Sequence, residues 1–308
     1  VIGVERATDV VVAPHRPMST AAGLVRALRP RQWVKNLLVF AAPAAASVLL
    51  REHMLVRAVL TFLAFTLASS GSYLINDVLD RDLDRVHPDK MHRPIASGVV
   101  PTTLAIPTAF ALLSASLLLP ATLLGWRTTA VVAAYVALVV GYSLGLKRVA
   151  ILELFIVSGG FVLRALAGGV ADNAPPSEWF LLVVTFGALF IVISKRCAEL
   201  VSLGDSAAAH RDVLSSYPLP FLRQIRDISA SVSLLAYCLW AFARHAGHAH
   251  STWEALSIVP VTLAVFRYAL AVERGGGGAP EDLVLRDPTI LLSALAWATL
   301  FGIGVLSA

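Results

Sequence analysis

The densest run of ionisable side chains lies between residues 73 and 94. It reads Tyr73-Leu-Ile-Asn76-Asp77-Val-Leu-Asp80-Arg-Asp82-Leu-Asp84, then Lys90-Met-His92-Arg93-Pro94. On a helix advancing about 100° per residue, with Asn76 at zero, Asp80 falls near 40°, Asp84 near 80° and Asp77 near 100°. Four oxygen-bearing side chains therefore share one face, and Asp82, near 240°, points away. Carboxylates crowded on a face repel unless a cation lies between them. Oxygen ligands of this kind suit magnesium, which commonly binds through one or two carboxylates plus substrate phosphates. The alternative is a solvated acidic helix end whose Asp side chains pair with Arg81, Arg85 and Lys90. The apolar run leading straight into the motif argues against a plain surface helix. Asn76, Asp77, Asp80 and Asp84 are thus candidate metal ligands, with the three carboxylates as candidate catalytic groups.

Further charge sits at the ends of apolar runs. Tyr142-Ser-Leu-Gly145-Leu-Lys147-Arg148 forms a polar, basic lip. In Lys195-Arg196-Cys197-Ala198-Glu199 the charged residues take angles of about 0°, 100° and 40°, again one direction. A simple surface Lys/Glu pair is the alternative there. Arg31-Gln32-Trp33-Val34-Lys35-Asn36 places a tryptophan at an interface and Lys35 and Asn36 at the mouth of an apolar run, with ordinary positive anchoring as the competing account. Lys35, Asn36, Asn76, Lys90, Arg93, Tyr142, Lys147, Lys195, Arg196 and Glu199 are therefore candidate substrate contacts.

The elements that must hold these residues are membrane helices. Hydrophobic residues make up 57% of the chain and charged ones 15%, with mean hydropathy +0.75, against about 25% charged in soluble proteins. The runs are long and continuous rather than alternating, so a helical bundle is expected and a barrel is not. At about 20 apolar residues per crossing, nine spans fit: 36–50, 55–79, 101–119, 128–146, 150–171, 178–198, 227–244, 253–272 and 288–307. Residues 21–33, with Leu24, Val25 and Leu28 among Arg26, Arg29 and Arg31, suit a short amphipathic surface helix. Residues 1–20 read as a disordered tail without a cleavable signal, and 21–308 as a single membrane domain.

Nine spans put the termini on opposite sides. The loops sharing the amino-terminal side hold nearly all the Lys and Arg, including Lys35, Arg81, Arg93, Lys147, Lys195, Arg211, Arg223 and Arg286; the other side holds only Arg51, Arg57, Arg127 and Arg244. That asymmetry puts the amino terminus and every charged motif in the cytoplasm and the carboxyl terminus outside. It also explains the net charge of +5 through orientation and phosphate-bearing lipids rather than nucleic acid. Cys197 and Cys238 lack metal or disulfide spacing.

The loop from about Ser202 to Asp227, with His210-Arg211-Asp212 and Tyr217, is long enough to cover a site. Gly275 to Gly278 read as a lid or a plain linker; they lack the setting of a phosphate-binding loop. Arg164 is a functional candidate by its depth, but snorkelling or a buried structural pair is favoured. His245, His248 and His250 read as a solvated outer loop.

The pattern Asn76-Asp77-x-x-Asp80-x-x-x-Asp84 at the end of a second span, with Tyr142 and Lys147-Arg148 ending a fourth, resembles the UbiA superfamily of intramembrane prenyltransferases. The resemblance implies an all-α bundle of nine transmembrane helices, and a cytoplasmic-side cavity that binds a diphosphate through Mg2+, with Mn2+ as a substitute. Those enzymes usually carry a second aspartate-rich set where this chain has Lys195-Arg196-x-x-Glu199. With Arg29-Pro-Arg-Gln-Trp-Val-Lys35-Asn36 and the Arg286-Asp287 loop, this is similar to the branch that moves phosphoribose from phosphoribosyl diphosphate to a polyprenyl (decaprenyl) phosphate. The implied setting is the bacterial inner membrane, feeding cell-wall arabinan synthesis, with a homo-oligomer allowed. The competing expectations are a prenyltransferase using a prenyl diphosphate donor and a transporter; the latter tends to keep its charges near the bilayer midplane in broken helices.

Overall fold

The computed structural model describes residues 18–88, 90–203, 212–247, 252–275 and 280–306. The tail expected over residues 1–20, the loop residues His210 and Arg211, His248, His250 and most of the glycine run fall outside these residues wholly or in large part.

The described chain is all helical. In order come α1 (Thr20–Ala27), a 3-10 segment (Pro30–Phe40), α2 (Ala41–Ala45), α3 (Glu52–Leu79), α4 (Arg81–Val86), α5 (Thr102–Leu123) and α6 (Trp126–Leu144). Then follow α7 (Leu152–Ala171), α8 (Glu178–Leu203), α9 (Leu219–Gly247), α10 (Trp253–Leu256), α11 (Ile258–Glu273), α12 (Pro280–Arg286) and α13 (Pro288–Leu306). Among the described residues seven stretches are long and apolar enough to cross a membrane, α10 and α11 together forming one of them, and Pro288–Gly304 of α13 adds a shorter apolar helix. Large apolar side chains such as Phe110, Leu118, Phe242, Val259, Phe266 and Leu292 are exposed around the outside, as expected where lipid rather than water is the solvent.

The first expected span, 36–50, is not a continuous α-helix. Its chain runs as 11 residues of 3-10 helix and then five of α-helix. Within the expected span, the 3-10 part covers about 10 Å at about 2.0 Å per residue and α2 adds about 7.5 Å, well short of the ~30 Å hydrocarbon thickness. This segment is not among the seven stretches long and apolar enough to cross a membrane. It packs closely on α7: a Cβ on Gly168 would lie 1.7 Å from the Val39 carbonyl oxygen, so only glycine permits the approach. The surface helix also ends earlier than residue 33. Arg29 adopts a left-handed conformation, φ 56°, and the residue before a proline disfavours α geometry, so α1 stops ahead of Pro30.

Among the described residues four packed clusters hold the bundle, one of them formed by Tyr237, Trp240 and Ala241 of α9 with Ile258, Trp297 and Phe301 packed against them. Val39, Phe65, Val132, Tyr135 and Ala167 join the 3-10 segment to α3, α6 and α7. Leu74, Ile95, Val100, Ala105 and Ala109 join α3 to α5 and the preceding loop. Leu154, Phe190, Ile193, Leu222, Tyr268 and Ile290 join α7 through α13.

Arg164 lies inside this core. Its Nε donates to Asn36 Oδ1 at 2.7 Å, Nη1 to the Gly160 carbonyl at 2.7 Å and Nη2 to the Tyr135 hydroxyl at 2.8 Å. It does not snorkel; three neutral acceptors and the face of Tyr135, 4.6 Å from the guanidinium, accommodate its charge. Asn36 in turn donates to Thr66 and Ser69 of α3. Fully buried and committed to these partners, Asn36 is a structural hub rather than the substrate contact expected from sequence.

Candidate active site

The acidic motif spans a helix break. α3 stops at Leu79, Asp80 takes φ −90° and ψ 3°, and α4 begins at Arg81. The i→i−4 hydrogen bonds run through it, the Asp80 amide donating to the Asn76 carbonyl at 2.9 Å and the Asp84 amide to the Asp80 carbonyl at 2.8 Å, so Asn76 and Asp80 lie at one edge of the shared face and Asp77 and Asp84 at the other, and the two edges meet different partners. Asn76 and Asp80 face α6: the Ser143 hydroxyl donates to Asn76 Oδ1 at 3.3 Å, and Lys147 Nζ reaches Asp80 Oδ1 at 2.5 Å. Asp77 and Asp84 face α1 and the loop after α4. Arg93 Nη1 donates to Asp77 Oδ1 at 3.2 Å and Asp84 Oδ2 at 2.7 Å, and Arg29 Nη2 to Asp77 Oδ1 at 2.5 Å.

Asp77 and Asp84 are buried, and so need these cations. An unpaired carboxylate out of water would cost several kcal/mol. Arg29 is fixed from three sides, by its left-handed backbone, by Asp77 and by the Tyr73 ring 4.6 Å beneath its guanidinium. Conformations of this kind persist where the surroundings over-determine them, often at functional sites.

Among the described residues no group of three or more His, Cys, Asp or Glu side chains stands ready to hold a metal. The donor chemistry nevertheless fits a hard cation. Asp77 and Asp84 converge on one guanidinium nitrogen, and two carboxylates with substrate phosphates completing the shell is an ordinary magnesium arrangement. Asn76 and Asp80 meet Ser143 and Lys147 at the other edge of the motif.

A second strained point flanks the site. Ile151, between α6 and α7, has φ 65°, an outlier for a β-branched residue. Its amide donates to the Tyr217 hydroxyl at 2.7 Å, so the segment leading into α9 is tied to the start of α7; the loop expected over 202–227 is shorter, since the chain is helical again from Leu219. Burial pushes the Tyr217 hydroxyl pKa up, so the tyrosine stays protonated.

Two residues later, Glu153 is fully buried and grips Arg196 of α8 with both oxygens, at 2.8 Å each. The third nitrogen of Arg196 donates to Glu199 at 2.8 Å. Arg196 and Glu199 do share a direction, as their spacing predicts. All three guanidinium nitrogens of Arg196 are thus taken by Glu153 and Glu199, so Arg196 is a buried brace between α7 and α8 rather than an open phosphate contact. Tyr142 and Lys195 lie half-buried beside this brace or on its helix, and Lys35 and Lys90 are half-buried on the 3-10 segment and the loop after α4.

Sequence reading alone missed Glu153, although a lone acid in the apolar run Ile151-Leu-Glu153-Leu-Phe was a legible signal. It also left Arg29 without a role.

The UbiA prenyltransferase family matches residues 37–286. The chain is 44% identical over 307 residues to the decaprenyl-phosphate phosphoribosyltransferase of Mycobacterium tuberculosis, covering 96% of this chain and 98% of that protein. It is 40% identical to the Corynebacterium glutamicum protein of the same name, covering 91% and 86%. In three dimensions it resembles a UbiA homolog from Archaeoglobus fulgidus bound to GPP and Mg2+, with a TM-score of 0.69 at 18% identity, covering 93% of this chain and all of the other. A match of this extent, on a bundle that gathers its charged motifs at one end, makes this chain a multi-pass membrane protein of the UbiA prenyltransferase family.

Proposed function

We propose that this protein transfers 5-phosphoribose from phosphoribosyl diphosphate to a polyprenyl phosphate of the decaprenyl type, releasing diphosphate, as a step toward lipid-linked arabinose and cell-wall arabinan. The observation that carries the reading is the near full-length identity to relatives named for this transfer. The site chemistry agrees with it. The bond between ribose C1 and the diphosphate oxygen breaks, negative charge grows on the leaving group, and a phosphate oxygen of the lipid forms the new bond to C1 with inversion. That nucleophile is already anionic near neutral pH, so the site needs charge stabilisation more than a strong base.

Arg29, Arg93 and Lys147 meet the acids at the helix break and are placed to neutralise the departing diphosphate. Asn76, Asp77, Asp80 and Asp84 are the residues that would hold Mg2+, or Mn2+ in its place. When bound, the ion supplies Lewis-acid charge to the diphosphate oxygens. Lys35, Lys90 and Lys195 are auxiliary phosphate contacts, while Arg196, Glu199 and Asn36 act as positioning residues. Residues 21–308 form one catalytic unit, in the inner membrane of a bacterium with the amino terminus and the site in the cytoplasm and the carboxyl terminus outside.

The test is to incubate purified protein with labelled phosphoribosyl diphosphate plus polyprenyl phosphate and, separately, with labelled prenyl diphosphate. Lipid-linked phosphoribose and free diphosphate should form only in the first. Asp77→Ala and Asp80→Ala should abolish transfer while the protein still purifies as a folded species. Turnover of the prenyl donor alone would refute the reading.

A further inference from the structure

We infer that the pocket between α1 and the loop after α4 is a phosphate-monoester subsite, in which Arg26 and His92 take the phosphate of one of the two substrates. The inference deepens the proposed reaction and rests on it for the identity of those substrates. The pocket encloses about 180 Å³ and is lined by Arg26, Arg29, Asp77, His92, Arg93 and Pro94. Ligand pockets for whole small molecules run to roughly 300–1,000 Å³, so this one admits a phosphate group or the end of a sugar phosphate rather than the entire donor.

Its charge is unbalanced toward the cation. Arg29 and Arg93 are matched by Asp77 and Asp84. Arg26 and His92 make no side-chain hydrogen bond or ion pair with any described residue, although both line the same small space. Two donor-bearing side chains without partners, beside two arginines pinned by buried carboxylates, form an anion site whose fixed half is already organised. A guanidinium fork matches phosphate oxygens in geometry as well as charge.

The place also suits the substrates. α1 has the composition of a membrane-surface helix, and Val25, next to Arg26, is exposed. Both substrates carry a phosphate monoester, the soluble donor on its 5-carbon and the lipid acceptor as its headgroup.

The experiment uses the full chain in detergent micelles with Arg26→Gln and His92→Gln. Because both side chains lack partners in the fold, the variants should melt with the wild type. Losing one charge-assisted hydrogen bond should weaken binding by about tenfold or more. Calorimetric titration with ribose 5-phosphate and, separately, with a short-chain polyprenyl phosphate reads the subsite directly, alongside the KM for each substrate. A weakened response to the sugar phosphate assigns the subsite to the donor, and one to the lipid phosphate assigns it to the acceptor. Unchanged affinities and unchanged KM values overturn the inference. Wild-type protein that binds these phosphates, loses them on substitution, yet never turns over phosphoribosyl diphosphate would sink the transfer reading and leave the subsite standing.

Discussion

Replacing Glu153 by Gln tests the claim that Arg196 is a brace. The substitution keeps the shape of the side chain but removes the charge that both ends of the Arg196 fork engage at 2.8 Å. Arg196 is 4% exposed and Glu153 is 0% exposed, so no water can replace the lost carboxylate. Only Glu199, itself partly exposed, remains to face the cation. Breaking a buried pair by removing one partner costs about 3–5 kcal/mol. At about 2–4 °C per kcal/mol for a chain of this order of size, the melting temperature should fall on the order of 10 °C. The double variant Glu153→Leu with Arg196→Met removes both charges at once and should recover most of that loss, because an apolar replacement of a buried pair is often close to neutral. The assay is thermal unfolding in detergent, followed by KM for phosphoribosyl diphosphate. The reasoning fails if Glu153→Gln melts with the wild type, or if the stable double variant shows a large rise in donor KM, since Arg196 would then be holding substrate.

At the far end of the bundle, burial pushes the Asp172 carboxyl up to about 6 against the opposing effect of Arg57, and neither of its oxygens has a hydrogen-bond partner. Because the folded form binds its proton more tightly than the unfolded chain, stability should decline as pH rises from about 4 to 6, by roughly 2–3 kcal/mol. Asp172→Asn should flatten that slope and raise the melting temperature at pH 7.5. Gly168→Ala should destabilise by about 3 kcal/mol or more and displace the 3-10 segment, read as a lowered melting temperature, because the added methyl meets a backbone carbonyl that cannot rotate away. Arg164→Lys cannot reproduce a three-way fork and should lower the melting temperature by several degrees without changing the donor KM beyond about twofold.

Much of the architecture was legible from residue order. The apolar runs locate most of the long helices, since about 20 greasy residues can do little else, and the motif Asn76-Asp77-x-x-Asp80-x-x-x-Asp84 points to the end of the bundle proposed as the reactive one. The asymmetry of Lys and Arg underlies the proposed orientation. These properties are local: each depends on composition over a window of the chain.

What only the tertiary structure decided was which charges are free and which are committed. Residue order cannot reveal that Arg196 meets Glu153, 43 positions away, or that Asn36 is held by Arg164 at a separation of 128. Nor does it reveal that Asp77 and Asp84 meet on the guanidinium of Arg93 while Asp80 is taken by Lys147, 67 positions away. The close seat of the 3-10 segment on α7 likewise depends on a glycine far along the chain admitting a carbonyl. In each case the outcome turns on distance-dependent desolvation and pairing between groups from different helices, and such distances come into being only when the bundle closes.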